Sequence, residues 1–156
     1  MGQVTQEQAN LMLKLYELRR EPRLRQARAW FVDQFDAASV EEFQKKYAPG
    51  SEENTSFRMV VSYWEMCASI VNRGLIDEEF FFENQGEQWL VFEKVKLVLA
   101  GWRAAFKNPL ILANLEEHCR RLEAWREKQA PGSTEAMRQM FQQMAKARAA
   151  QAAASS

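Results

Sequence analysis

The chain has 156 residues, of which 47% are hydrophobic and 27% charged, and this composition is typical of a globular protein rather than a disordered one. Its 21 lysines and arginines balance its 21 aspartates and glutamates, so no overall field favours nucleic acid or an anionic membrane. The start is polar, and no window approaches about 18 uncharged apolar residues. We therefore expect a cytoplasmic protein without a signal peptide or a membrane span.

The two cysteines, Cys67 and Cys119, fall in helical patterns and lack the spacing of a disulfide framework or a metal site. We expect both thiols to be reduced, as in the cytoplasm, and we expect no metal or other cofactor. Glycine and proline are scarce, and no stretch shows the sustained alternation of a strand. The sequence therefore predicts an all-α protein.

Three helices are predicted in the first third of the chain. Thr5 can cap the first helix, and Pro22 can begin the second, because proline is favoured at the first helical position. The segment Ser39–Glu42, "SVEE", has the pattern of a capping box and predicts a short third helix.

The fourth predicted helix runs from about Ser56 to Arg73 and carries apolar side chains over an arc of about 220°. This arc is wider than the apolar stripe of a surface helix, so neighbours are expected on several sides. We interpret the segment as the core helix. Gly74 is expected to end it in the left-handed conformation, and Leu75 and Ile76 are expected to enter the core.

Two further helices are predicted after this corner. Asp77 can cap a short helix, and a long helix then covers 87–107. The long helix is expected to pack against the core helix with one apolar face. Its other face contains small residues around Gly101, so we expect another helix to approach it closely.

The last two predicted helices lie on either side of "APGS" at 130–133. One begins at Asn108-Pro109, and the other covers 133–150 and is followed by a flexible tail over 151–156. The final helix has one apolar face, which must be covered either by its own bundle or by a second subunit. The side chains of this possible interface are Met137, Met140, Phe141 and Met144.

These elements predict one helical domain over residues 1–150. Its architecture is expected to be a bundle of about six to seven helices. The core of the bundle is expected at about 55–128, where the most apolar helices lie.

The polar stripe of the core helix is a candidate site. Arg58 and Glu65 are seven residues apart and therefore share one face of the helix. Three interpretations remain open. The stripe could be solvated, it could form a structural ion-pair network that extends to Asp77 or another helix, or it could bind a ligand or catalyse a reaction beside Arg58, Tyr63 and Glu65.

Five arginines fall between Arg19 and Arg28, with Glu21 as the only acid among them. They could bind phosphates, or they could pair with the acidic stretch Asp77–Glu93, which holds six carboxylates and no lysine or arginine. Aromatic residues are not interleaved with the arginines, which makes a nucleic-acid interface the less favoured interpretation.

His118 is the only histidine and lies at the margin of an apolar helical face. A zinc site on a helix would need a second histidine or a carboxylate four residues away, and neither Asn114 nor Leu122 provides one. We therefore expect a histidine packed beside Trp125 rather than a metal ligand.

The motif "YWE…GLIDEE" resembles an uncharacterised family of bacterial helical domains that is classed as a domain of unknown function. The resemblance covers about residues 55–125. It implies an all-helical fold with no established activity, and it supplies no catalytic residues. The matching positions are Arg58, Tyr63, Trp64, Glu65, Ala68, Val71, Gly74, Leu75, Ile76, Asp77 and Glu78.

We predict a non-enzymatic cytoplasmic helical module that acts through contacts with a protein partner or as a homodimer. One alternative is a nucleic-acid binder that uses Arg19–Arg28. Another is a small-ligand binder or enzyme with a polar site at Arg58, Tyr63 and Glu65.

Overall fold

Eight α-helices are present in the computed structural model, which describes residues 2–156. No strand occurs among these residues, so the predicted all-α fold is confirmed. The number of helices exceeds the predicted six to seven, and the two shortest, the third and the fifth, have seven residues each and caps of their own. The helices are α1 (Gln6–Arg19), α2 (Pro22–Asp33), α3 (Val40–Lys46), α4 (Glu52–Asn72), α5 (Glu78–Asn84), α6 (Glu87–Phe106), α7 (Ala113–Gln129) and α8 (Ser133–Ala154).

The chain is divided into two compact units, one ending at Cys119 and the other covering residues 120–156. The first unit contains α1 to α6 and the beginning of α7. The second contains the rest of α7 and α8. The single domain over residues 1–150 stays a prediction.

The predicted helix starts at Thr5, Pro22, Ser39 and Asp77 are confirmed. The Oγ1 atom of Thr5 accepts a hydrogen bond of 3.2 Å from the N–H of Gln8. Ser39 and Asp77 accept equivalent bonds from the N–H groups three residues ahead, at 3.1 and 2.9 Å. These bonds satisfy backbone donors that have no partner within the helix.

The end of α4 at Gly74 is also confirmed. Gly74 has a φ of 77°, and its N–H donates to the carbonyl oxygen of Val71 at 2.9 Å. Ile76 is fully buried, as expected, but Leu75 is 56% exposed. The expectation that Leu75 enters the core is therefore wrong, because the left-handed turn directs it away from the core while Ile76 is directed inward.

Three helix boundaries differ from the prediction. α4 begins four residues earlier, at Glu52, because Ser51 accepts a hydrogen bond from the N–H of Asn54. α7 begins at Ala113 rather than near Pro109, because Leu112 has a φ of 54° and cannot continue a right-handed helix. α8 extends to Ala154, so the segment predicted as a tail is helical over most of its length.

The core of the first unit is an aromatic cluster that joins α2, α3, α4 and α6. The rings of Phe31 and Phe35 stack 4.7 Å apart, and those of Phe43 and Phe57 lie 4.6 Å apart. Trp102 of α6 lies 5.6 Å from Phe57. α6 packs on α4 as predicted, but α2 makes the larger contact with α4, because the phenylalanines at the end of α2 fill the space beside Phe57.

Helices α3 and α6 approach each other closely at Gly101. A methyl group added to Gly101 would lie 2.5 Å from Cγ1 of Val40, which is closer than van der Waals contact allows. The expectation that the small residues of α6 admit another helix is confirmed, and the helix they admit is α3. This close approach places Val40 beside the cavity described below.

Candidate functional site

The four polar residues singled out in the sequence, Arg58, Tyr63, Glu65 and Asp77, do not form one network. Arg58 is exposed and Tyr63 is buried, although both lie on α4. Glu65 and Asp77 each cap the start of a different helix. Their positions are therefore described separately.

Glu65 caps a helix that begins 48 residues further along the chain. Its carboxylate accepts hydrogen bonds from the backbone N–H groups of Asn114 (3.2 Å) and Leu115 (2.7 Å), and from Nδ2 of Asn114 (3.0 Å). Asn72, also on α4, donates through Nδ2 to the carbonyl oxygen of Asn114 at 3.0 Å. Glu65 thus links α4 to another helix, but through uncharged N–H donors rather than through the ion pairs that one interpretation of the sequence expected.

Tyr63 lies on the buried side of α4, where its hydroxyl group donates to the carbonyl oxygen of Leu15 in α1. Burial raises the pKa of this phenol well above its ordinary value. Burial likewise raises the pKa of the neighbouring Cys67 thiol to about 12. Both groups are therefore protonated near neutral pH, and neither is poised as a base or a nucleophile.

Asp77 belongs to the corner between α4 and α5. Its Oδ1 atom accepts from the N–H of Phe80 at 2.9 Å, and its own N–H donates to Oε1 of Gln8 at 2.9 Å. The residue thus starts α5 and attaches the corner to α1. The motif that carries the family resemblance is structural at this position.

A cavity of about 220 Å³ lies between α3, α4 and α6, and we refer to it as the Trp102 cavity. Its lining is mostly apolar, with Gln44, Asn54 and Arg58 as polar members. One end is formed by the segment between α3 and α4, which contributes Tyr47 and Pro49. The apolar walls are Val40, Phe43, Phe57, Val98, Trp102 and Phe106.

Arg58 and Trp102 also line a second, more open depression of about 510 Å³, which we refer to as the Glu65 groove. Within residues 2–156, the Arg58 guanidinium group has no hydrogen bond, ion pair or aromatic contact. Glu65, which lines the same groove, is already occupied by the three N–H donors of α7. Arg58 is therefore the charged group at these two depressions that is available to a ligand.

Apolar side chains surround the two depressions on the surface. Phe106, at the end of α6, is 68% exposed and forms part of the cavity wall, and Met66, which lines the groove, is also exposed. The sequence predicted an apolar face on the long helix, and Val98, Trp102 and Phe106 of this helix line the cavity. The sequence did not reveal the cavity, because the opposite wall comes from α3 and from the segment that follows it.

The arginine segment is partly used for contacts within the fold. The guanidinium group of Arg28 forms two parallel bonds with the carboxylate of Glu87, at 2.7 and 3.0 Å, and donates to the carbonyl oxygen of Arg19. Arg19 donates to Oε1 of Gln85 at 3.0 Å. Arg28 thus pairs with a carboxylate of the acidic stretch Asp77–Glu93. The other arginines of the segment, Arg20, Arg23 and Arg25, are exposed.

His118 is buried between aromatic rings, as expected for a packed histidine. Its ring lies edge-on to Phe81 and Phe82, with centroids 5.5 and 5.2 Å away. Its Nε2 atom is 3.3 Å from Nε2 of Gln88, a buried glutamine that sequence reasoning missed. Within the described chain, no group of three or more histidine, cysteine, aspartate or glutamate side chains is arranged to hold a metal ion.

The apolar face of α8 is divided between half-buried and exposed residues. Met137 and Phe141 are half-buried, whereas Met140 is 59% exposed and Met144 is 42% exposed. The start of α8 is held within the second unit, since the Glu127 carboxylate accepts from the N–H groups of Gly132 and Thr134. Arg138 donates to the carboxylates of Glu123 and Glu135.

Among residues 2–156, no helix combines the length and the apolar character needed to cross a membrane. No curated protein and no solved structure matches the chain. A family model, described as a domain of unknown function (DUF4760), matches residues 4–122. The match extends from α1 through most of α7 and so begins well before the motif noted in the sequence. The chain therefore belongs to this family of domains of unknown function.

Proposed function

We propose that the chain is a non-enzymatic, cytoplasmic helical module that binds a second protein chain through the exposed methionines of α8. The observation that carries this proposal is the position of Met140 and Met144, which are one helical turn apart and both exposed. Methionine is flexible and polarizable, so such a pair suits an adaptable protein contact. The partner to test first is a second copy of the same chain.

The attachment of α8 supports this role. Glu127 fixes the start of the helix, and the bonds of Arg138 to Glu123 and Glu135 fix its next turn. A side chain on a fixed helix loses less conformational freedom on binding than one on a mobile segment. The exposed methionines are thus presented by an ordered element.

The non-enzymatic part of the proposal is supported by the state of the reactive side chains. Tyr63 and Cys67 are buried and protonated, and Glu65 is fully engaged as a helix cap. His118 is buried between Phe81 and Phe82. Cys67 and Cys119 are buried and form no disulfide bond, which is consistent with a reducing cytoplasm.

The test compares two double variants by sedimentation velocity. Met140→Glu with Met144→Glu places charges on the proposed surface, whereas Gln139→Glu with Gln143→Glu places the same charges on exposed positions outside it. We expect a dimer for the natural chain and the glutamine variant, and a folded monomer for the methionine variant.

A natural chain that sediments as a monomer would exclude the homodimer. The proposal would then require a different protein partner, to be sought by photo-crosslinking in cells from position 140 and, as a control, from position 143. Equal crosslinking from both positions, or none from either, would reject the α8 surface.

A further inference from the structure

The Trp102 cavity is large enough for more than solvent. An apolar cavity of roughly 150 Å³ can accept a benzene-sized molecule, and this partly open cavity measures about 220 Å³. Its walls are valine, phenylalanine and tryptophan side chains, which make water a poor occupant. An apolar group of a ligand is the chemistry that these walls favour.

The positive charge of Arg58 beside the cavity indicates the chemistry of the polar end of the ligand. Arg58 lines both the Trp102 cavity and the Glu65 groove, and it has no partner among the described residues. A guanidinium group binds a carboxylate through two parallel N–H···O bonds. The nearby Glu65 does not compete for it, because three N–H donors of α7 hold that carboxylate.

We propose that the Trp102 cavity binds a small amphiphilic carboxylic acid, with the apolar tail between Val98 and Trp102 and the carboxylate on Arg58. The free acid is the occupant to which the structure points, since one cation at the edge of one partly open apolar cavity matches a single anionic head with a single tail. This site lies in the first unit and does not depend on the α8 surface.

The test uses three probes with the same eight-carbon tail, namely nonanoate, octanol and octylamine, titrated into the full chain by calorimetry. We expect nonanoate to bind most tightly. Arg58→Gln should weaken nonanoate binding by about tenfold, as expected for the loss of hydrogen bonds to a charged group, and should leave octanol binding unchanged. Arg25→Gln removes the same charge from an exposed site on α2 and should have no effect.

Nuclear Overhauser effects from the nonanoate tail to Trp102 and Val98 locate the probe without any substitution. Contacts to these residues, together with the selective loss in Arg58→Gln, would support the proposal. Equal binding of nonanoate and octanol, or equal nonanoate binding by Arg58→Gln and the natural chain, would overturn the role of Arg58. Absence of saturable nonanoate binding, or contacts only elsewhere on the protein, would overturn the site itself.

Discussion

The carboxylate of Glu65 in α4 accepts the backbone N–H of Leu115 in α7 at 2.7 Å, so the start of one helix is capped by the side of another. Local caps come from the residue just before a helix. Here Leu112, in a left-handed conformation, precedes the helix, and the carboxylate from α4 satisfies the donors instead.

Replacement of Glu65 by glutamine should therefore destabilise the first unit. We expect a loss of about 0.5–2 kcal/mol in the free energy of unfolding, because glutamine keeps one acceptor oxygen but loses the charge and the second oxygen that the N–H donors use. Urea denaturation monitors the change, with Glu53→Gln as an exposed control on the same helix. Equal stability of the two variants would show that the cap contributes nothing.

Gly74 tests the corner between α4 and α5. No atom would obstruct a methyl group there, so the cost of Gly74→Ala should come from the positive φ alone, at about 1–2 kcal/mol. Gly86 also has free space around it but has a φ of −133°, and Gly86→Ala should cost less. Thermal unfolding compares the two, and a larger loss at Gly86 would contradict this account.

The contact between α3 and α6 predicts that alanine at Gly101 destabilises the protein, although alanine normally stabilises a helix. Gly101→Ala favours the helix by roughly 1 kcal/mol, but its methyl group would collide with Val40. Overpacking costs about 1–3 kcal/mol, so we expect a net destabilisation of up to about 2 kcal/mol. Adding Val40→Ala should relieve the collision, so a double-mutant cycle should give a favourable coupling. If the effects of the two substitutions on stability were strictly additive, α3 and α6 would separate without a cost in free energy.

The second unit should respond to acid. Hydrogen bonds from the N–H groups of Gly132 and Thr134 lower the pKa of Glu127 below its ordinary value. The carboxylate therefore stabilises the folded unit above the ordinary glutamate pKa, and this contribution is lost as the pH falls through the lowered pKa. NMR titration should show the Gly132 and Thr134 amide signals shifting in this acid range. Glu127→Gln should abolish those shifts, and their persistence would assign them to another group.

The arginine segment should not confer binding to nucleic acid. Arg28 is engaged with Glu87, so the phosphate contacts would fall to Arg20, Arg23 and Arg25. We expect no association with single-stranded RNA or duplex DNA at about 100 mM salt in fluorescence anisotropy. Binding that weakens with salt and disappears on replacing these three arginines by glutamine would establish the alternative function.

The helix starts at Thr5, Pro22, Ser39 and Asp77 were predictable because each depends on a local signal, whereas the local cap of α4, Ser51, was missed. Thr5, Ser39 and Asp77 cap their own helices, and Gly74 ends one, so the pattern of a few residues determines each boundary. The delayed start of α7 was not predictable, since the side chain that caps it lies on α4.

The candidate site was predicted only in part for the same reason. Arg58 was singled out from its place on the polar stripe, but its cavity needs walls from α3, α4 and α6 together. Tyr63 and Glu65 were grouped with it by spacing, whereas tertiary contacts direct them to Leu15 and Leu115.

During synthesis of the protein, the carboxylate of Glu65 is made before the helix that it caps. Ribosomes release the amino-terminal part of a chain first, and Glu65 precedes Leu115 by 50 residues. α4 is therefore available before the first donors of α7 emerge. When α7 is synthesised, the Glu65 carboxylate that accepts its first N–H groups is already present. In a chain interrupted between α6 and α7, this carboxylate would instead face water.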